Sequence, residues 1–193
     1  MEASSVEAVL NLWFGEPTSP EFGQVRDSWF RKDAAFDRAL GDRFGSLYDR
    51  AARGELDAWR STATSCLALT IVLDQFPRNL FRGSAQAFGT DDRALDTARH
   101  AIAQGFDRDL LPVQRWFFYL PFEHSESLAD QETSLRLWDG LRDHPASAGA
   151  IDFARRHWDV VTRFGRFPHR NALLGRSSTP EELEFLPQPG SSF

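Results

Sequence analysis

Ala63-Thr64-Ser65-Cys66-Leu67-Ala68-Leu69-Thr70-Ile71-Val72-Leu73 is apolar or small on every side, and Asp74-Gln75-Phe76-Pro77-Arg78-Asn79 follows without a break. A run of this length fits a buried strand or a buried helix. Asp74 and Gln75 carry the run onward, and no strand partner lies nearby in the sequence. The spacing therefore predicts a buried central helix. It is expected to end before Pro77, because the residue ahead of a proline is biased away from helical geometry.

Working outward, the flanking segments are helical too. Ser4-Ser5-Val6-Glu7 reads as a capping box, followed by Val6, Val9, Leu10, Trp13 and Phe14 at helical spacing and a stop at Gly15. From Asp33, the stripe Phe36, Leu40, Phe44, Leu47, Tyr48 and Ala51 runs to Gly54, with Trp29 and Phe30 ahead of it as a possible extension of the same helix. Thr90-Asp91-Asp92 reads as the cap of a helix stopped at Gly105. Leu111-Pro112 opens an aromatic helix expected to close at Pro121. Leu128 to Leu141 marks a sixth helix, expected to end at His144-Pro145. Ile151 to Val161 marks a seventh, ending at Gly165, and Thr179-Pro180-Glu181-Glu182 caps a short last one. No alternating strand pattern appears. The fold class is all-α, as antiparallel helical hairpins joined by short loops. Residues 1–186 read as a single helical domain and residues 187–193 as a flexible tail.

The composition suits this. The chain has 193 residues, 41% of them apolar and 13% aromatic, enough for one core without covalent staples. Cys66 is the lone cysteine, so no internal disulfide forms, and a cytoplasmic, reducing setting is expected. Cys66 sits in the apolar run and reads as inert core. No apolar run reaches membrane-spanning length, and no secretory leader is expected from the first residues. A net charge of −6 argues against nucleic-acid binding. Yet residues 155–176 hold six arginines against one acid, Asp159. In the simplest account these arginines pair with acids elsewhere in the fold.

The central run ends in a motif that recurs. Phe76-Pro77-Arg78-Asn79 is echoed by Phe167-Pro168-His169-Arg170-Asn171, with one residue inserted, and both follow a helical run. Arginine and asparagine beside a helix end are costly to bury, so their repetition predicts that the two copies meet at one polar centre. Between them lies Leu120-Pro121-Phe122-Glu123-His124-Ser125-Glu126.

With these three segments the chain resembles a mainly bacterial family of unassigned activity. The family carries Leu-Asp-Gln-Phe-Pro-Arg-Asn, Leu-Pro-x-x-His-Ser-Glu and Arg-Phe-Gly-Arg-Phe-Pro-x-Arg-Asn-x-x-Leu-Gly-Arg, here residues 73–79, 120–126 and 163–176. The resemblance runs from Val9 to about Leu186. It implies a tetratricopeptide-like right-handed superhelix and no particular reaction. The 34-residue tetratricopeptide pattern itself does not recur in the sequence.

Three readings of the motifs stand. In a structural one, the arginines brace helix C-termini, where carbonyls are unsatisfied, and pair with Asp74 or Glu126. In a binding one, Arg78, Asn79, Arg166, His169, Arg170 and Asn171, with Asp74 and Glu123 nearby, hold a small anionic ligand or an acidic segment of a partner protein. In a catalytic one, His124 works with a neighbouring carboxylate, Glu126 being the candidate, as acid–base catalyst on an anion held by the arginines. A phosphate-loop glycine pattern is absent. His124, Glu126 and Asp74 or His157 could in principle meet a metal, but no metal-ligand spacing supports it, so neither metal nor cofactor is expected. A binding role without chemistry is the reading preferred from sequence.

Overall fold

The computed structural model describes residues 2–193, with side chains from Ser5 onward. Eight α-helices carry the described residues: α1 (Glu2–Phe14), α2 (Ala34–Ala52), α3 (Ala63–Leu80), α4 (Asp91–Gln104), α5 (Pro112–Glu123), α6 (Leu128–Asp139), α7 (Ala148–Phe164) and α8 (Pro180–Phe185). Short 3-10 turns join several of them, and no strand occurs among the described residues. From α2 to α7 each helix packs on its successor, and α3 also touches α1 and α5.

That placement makes α3 the axis of the core. Cys66 to Pro77 are all buried along it, as expected of a helix apolar all round. Trp13 and Phe14 of α1, Phe44 of α2, and Trp116 and Phe117 of α5 share its core. Cys66 lies within this packing, and burial pushes its thiol up to about 12.

The boundaries correct several expectations. Helix α3 does not stop before Pro77 but runs through it to Leu80. Pro77 has no N–H, so the Leu73 carbonyl one turn back loses its helical partner. The Thr90 hydroxyl supplies the missing donor, at 2.6 Å. Thr90 is therefore the N-cap of α4 in backbone position only, with no side-chain cap bond. The continuation puts Arg78 and Asn79 on the last turn of a buried helix.

Helix α5 likewise passes through Pro121 to Glu123, which leaves His124 as its C-cap. Helix α6 ends at Asp139 with Gly140 as C-cap, ahead of His144-Pro145. Trp29 belongs to a separate turn, residues 27–29, because Asp33 caps α2 by accepting the N–H groups of Ala35 and Phe36. Its indole instead donates to the Trp13 carbonyl at the end of α1, at 2.7 Å. Helix α1 begins ahead of Ser4, whose side chain, half of the expected capping box, lies outside the described residues.

Candidate functional site

Four segments meet beside the end of α3. Residues Asp74, Gln75 and Arg78 come from α3, Glu123 and His124 from the end of α5, and His157 from α7. The fourth segment is the turn that follows α7. Gly165 ends that helix in the left-handed region, φ +68°, and Pro168 opens a single 3-10 turn, Pro168–Arg170. This reversal returns Arg170 to the protein interior.

Two carboxylate–imidazole pairs form the floor. Asp74, 1% exposed, meets Nδ1 of His124 at 2.7 Å through Oδ1, and its Oδ2 accepts from Gln75 at 2.6 Å. Burial alone would raise the Asp74 pKa, but the charge and hydrogen bond of His124 outweigh it, and the carboxyl is held below its usual range. Glu123, 2% exposed, lies 3.0 Å from Nδ1 of His157. Burial pushes Glu123 up to about 8, with the Trp138 indole offsetting part of the rise. His157, whose Nδ1 also lies 2.8 Å from the Phe153 carbonyl, is held well below its ordinary value by burial. Both shifts favour the neutral forms of the Glu123–His157 pair. The two imidazole rings are 6.3 Å apart.

The two copies of the motif meet through Arg78 and Arg170. Both reach Oδ2 of Asp91, at 2.9 and 3.3 Å. Both also face the Phe88 ring, at 4.8 and 4.7 Å, and Arg78 donates further to the Ala87 carbonyl. Arg170 lies over Phe167 as well, at 4.5 Å. Its guanidinium is thus held by two aromatic rings and one shared carboxylate. It is 6% exposed, and its Nε has no hydrogen-bond partner among the described residues. Burial and the neighbouring Arg78 lower its pKa to about 10. His169 beside it is brought down to about 4 by burial and the Arg170 charge, and its buried Nδ1 also lacks a partner.

The remaining expected residues go elsewhere. Asn79 donates to Asp37 on α2, at 2.8 Å, beside Arg82. Arg166 grips Glu182 of α8 in bidentate fashion, at 2.6 and 2.7 Å, and Asn171 donates to the same carboxylate. Glu126 is not the carboxylate bonded to His124. It accepts two bonds from Arg176, at 2.6 and 2.9 Å, and the Phe167 N–H at 2.8 Å. Four of the six clustered arginines therefore pair with acids outside their own run: Arg163 with Glu181, Arg166 with Glu182, Arg170 with Asp91 and Arg176 with Glu126.

Sequence reasoning missed Asp91, Phe88 and Phe193. Asp91 was hidden by its reading as part of a helix cap. Phe193 belongs to residues 187–193, expected as a loose tail. That segment folds back, and its Phe193 ring stacks on His157 with centroids 3.7 Å apart. Open hollows of about 490 and 340 Å³ are lined around Asn11 and Arg26 and around Trp138 and Ile151, away from Arg170 and His124. Among the described residues, no group of three or more His, Cys, Asp or Glu is placed to hold a metal ion. No helix among them is long and apolar enough to cross a membrane.

The chain belongs to a family described as bacterial protein of unknown function (DUF924), whose model matches residues 9–190. It is similar to the solved structure of ATU0120, a protein of unknown function from Agrobacterium tumefaciens. Identity is 42%, the match covers 96% of this chain and 98% of that one, and the TM-score is 0.85. No curated protein matches the chain.

Proposed function

We propose that the polar centre binds a small anionic ligand, or the carboxylates of an acidic partner segment, with Arg170 as the principal grip and Arg78 and His169 around it. One observation carries this: Arg170 is buried, yet its pairing is incomplete. Buried charges are normally paired and fully hydrogen-bonded. Here two guanidinium groups share one carboxylate, the Arg170 contact to it is the longer, and its Nε is unused. Stacking on Phe88 and Phe167 fixes the planar fork while leaving donors for an incoming oxyanion.

The Asp74–His124 pair supports a second, catalytic reading. A buried carboxylate at 2.7 Å fixes the tautomer and orientation of an imidazole, which is what a general base requires. In this reading Asp74 takes the place expected of Glu126. A cytoplasmic location, and the absence of any role at nucleic acid or membrane, belong to the same proposal. The net charge of −6 and the single buried Cys66 support them. Consecutive packing of α2 to α7 supports the further reading of the fold as a tetratricopeptide-like superhelix.

A thermal-shift screen of anionic metabolites tests the binding reading, since a ligand bound only by the folded state raises its apparent stability. A hit should be lost in Arg170→Ala and weakened in Arg170→Lys, which keeps the charge but not the fork. A hit that binds both variants like wild type would remove Arg170 from the site. His124→Ala separates the two readings: it should retain the ligand in a binding protein and abolish turnover in an enzyme.

A further inference from the structure

The least expected feature of the centre is its cover. After α8, Gly190 turns the chain with φ +79°, and Phe193 enters a slot with aromatic walls. Its ring stacks on His157 at 3.7 Å and 30°. It meets His169 at 5.8 Å and Phe167 at 6.1 Å, both near edge-on. The Arg156 guanidinium lies 5.6 Å from its centroid. Two ring edges, one stacked face and a cation select for a planar π system over an aliphatic chain.

This slot adjoins the anion grip. Phe167 is a wall of both, since Arg170 lies over its ring, and His169 immediately precedes Arg170 in the chain. The occupant is weakly tied. Among the described residues, the hydrogen bonds of residues 187–193 are local: Gln188 to Glu184 and Phe185, and Ser191 to Leu186 and Gln188. None ties the segment to α3, α5 or α7. Phe193 itself remains 38% exposed.

We propose that the slot filled by Phe193 is the aromatic half of the anion site, so that the ligand is an aryl anion whose ring displaces Phe193. This rests on the anion-binding reading and adds the chemical class of the ligand. The tail then acts as an internal competitor. The apparent affinity of the site is reduced by the fraction of molecules in which Phe193 occupies the slot.

The test compares phenyl phosphate with inorganic phosphate by titration calorimetry on wild type, Phe193→Ala and Arg170→Ala. Phe193→Ala should bind phenyl phosphate about three- to tenfold more tightly than wild type does, the range expected for one aromatic stacking contact removed from competition. Its affinity for inorganic phosphate should be unchanged. Arg170→Ala should lose both. Phenyl phosphate binding no tighter than phosphate, or weaker in Phe193→Ala, would overturn the proposal. If phosphate still bound in an Arg170-dependent way, the anion reading would survive that result. If neither probe bound wild type or Phe193→Ala, both would fall.

Discussion

The later copy of the repeated motif serves two regions of opposite character. In one, Arg166, Asn171 and Arg176 lock α8 and the turn after α7 to the body through Glu182 and Glu126. Every polar group there is engaged: Glu182 takes bonds from Arg166, Asn171 and the Thr179 N–H, and Arg176 donates also to Asn171 and the Phe167 carbonyl. In the other, a few residues away, Arg170 shares Asp91 with Arg78, and His169 Nδ1 and Arg170 Nε are buried without partners. The residue types are the same, and the saturation differs. A saturated bracket is what a fold needs to hold a segment in place. Unused buried donors raise the free energy of the fold, and here they are the groups that the proposed anion would engage.

Removing Glu182 should break the bracket with the largest effect. Glu182 is 1% exposed, and Arg166 holds its pKa down to about 2. Glu182→Ala strands the Arg166 guanidinium and leaves Asn171 and the Thr179 N–H short of an acceptor. Deleting one partner of a wholly buried pair costs about 3–5 kcal/mol, and Arg166 retains some solvent, so about 2–4 kcal/mol is expected. In a chain of this length that lowers the melting temperature by roughly 5–15 °C. A fall of a degree or less would show that the bracket is not structural.

Acid and alkali should sharpen the same contrast. Glu182 has a folded pKa below its ordinary 4.5, so its contribution is present above 4.5 and is lost as pH falls toward about 2. Glu123 has the opposite sign. Raised from 4.5 to about 8, its contribution is present below 4.5 and is lost as pH rises toward 8. His157 and His169 are lowered from 6.5, so their contributions are present above 6.5 and fall away in acid, which masks part of the Glu123 slope in wild type. The informative quantity is therefore the difference in melting temperature between wild type and Glu123→Gln. It should be near zero at pH 4 and should grow in favour of the variant up to pH 8. A difference independent of pH would mean that Glu123 is not held protonated.

Much of this was legible in the sequence. The all-helical class, the buried α3, the second helix traced from Asp33, the cap at Thr179 and the stops at Gly15, Gly105 and Gly165 follow from local rules, and the structure agrees. Prolines misled the reading twice. Pro77 and Pro121 lie inside helices, and for Pro77 the reason is a hydroxyl from a distant segment, Thr90, that donates to the stranded Leu73 carbonyl. The meeting of Arg78 and Arg170 was readable from the repeated motif, because residue order and position after a helical run both recur. The identity of the His124 partner was not. Asp74 and Glu126 are equally plausible along the chain, and only the packing of α3 on α5 places Asp74 at 2.7 Å. Phe193 left no signal, since a ring after Pro187-Gln188-Pro189-Gly190 resembles any loose end.

The smallest expected change in stability comes from the residue with the largest expected effect on binding. Arg170→Ala removes a buried cation without stranding its partner, because Asp91 keeps Arg78 at 2.9 Å. What is lost is stacking on Phe88 and Phe167, about 0.5–2 kcal/mol for cation–π contacts between exposed and desolvated limits. What is gained is relief from holding a partly paired charge away from water, which acts in the opposite direction. The two nearly offset, so the net loss should stay near about 1 kcal/mol, roughly 2–4 °C in melting temperature. Glu182→Ala changes a carboxylate in the neighbouring bracket and should cost several times more. If Arg170→Ala melts as low as Glu182→Ala, Arg170 is a brace like Arg166, and the two regions are one structural network. If it melts close to wild type and phosphate no longer protects it, the protein keeps Arg170 buried for a ligand.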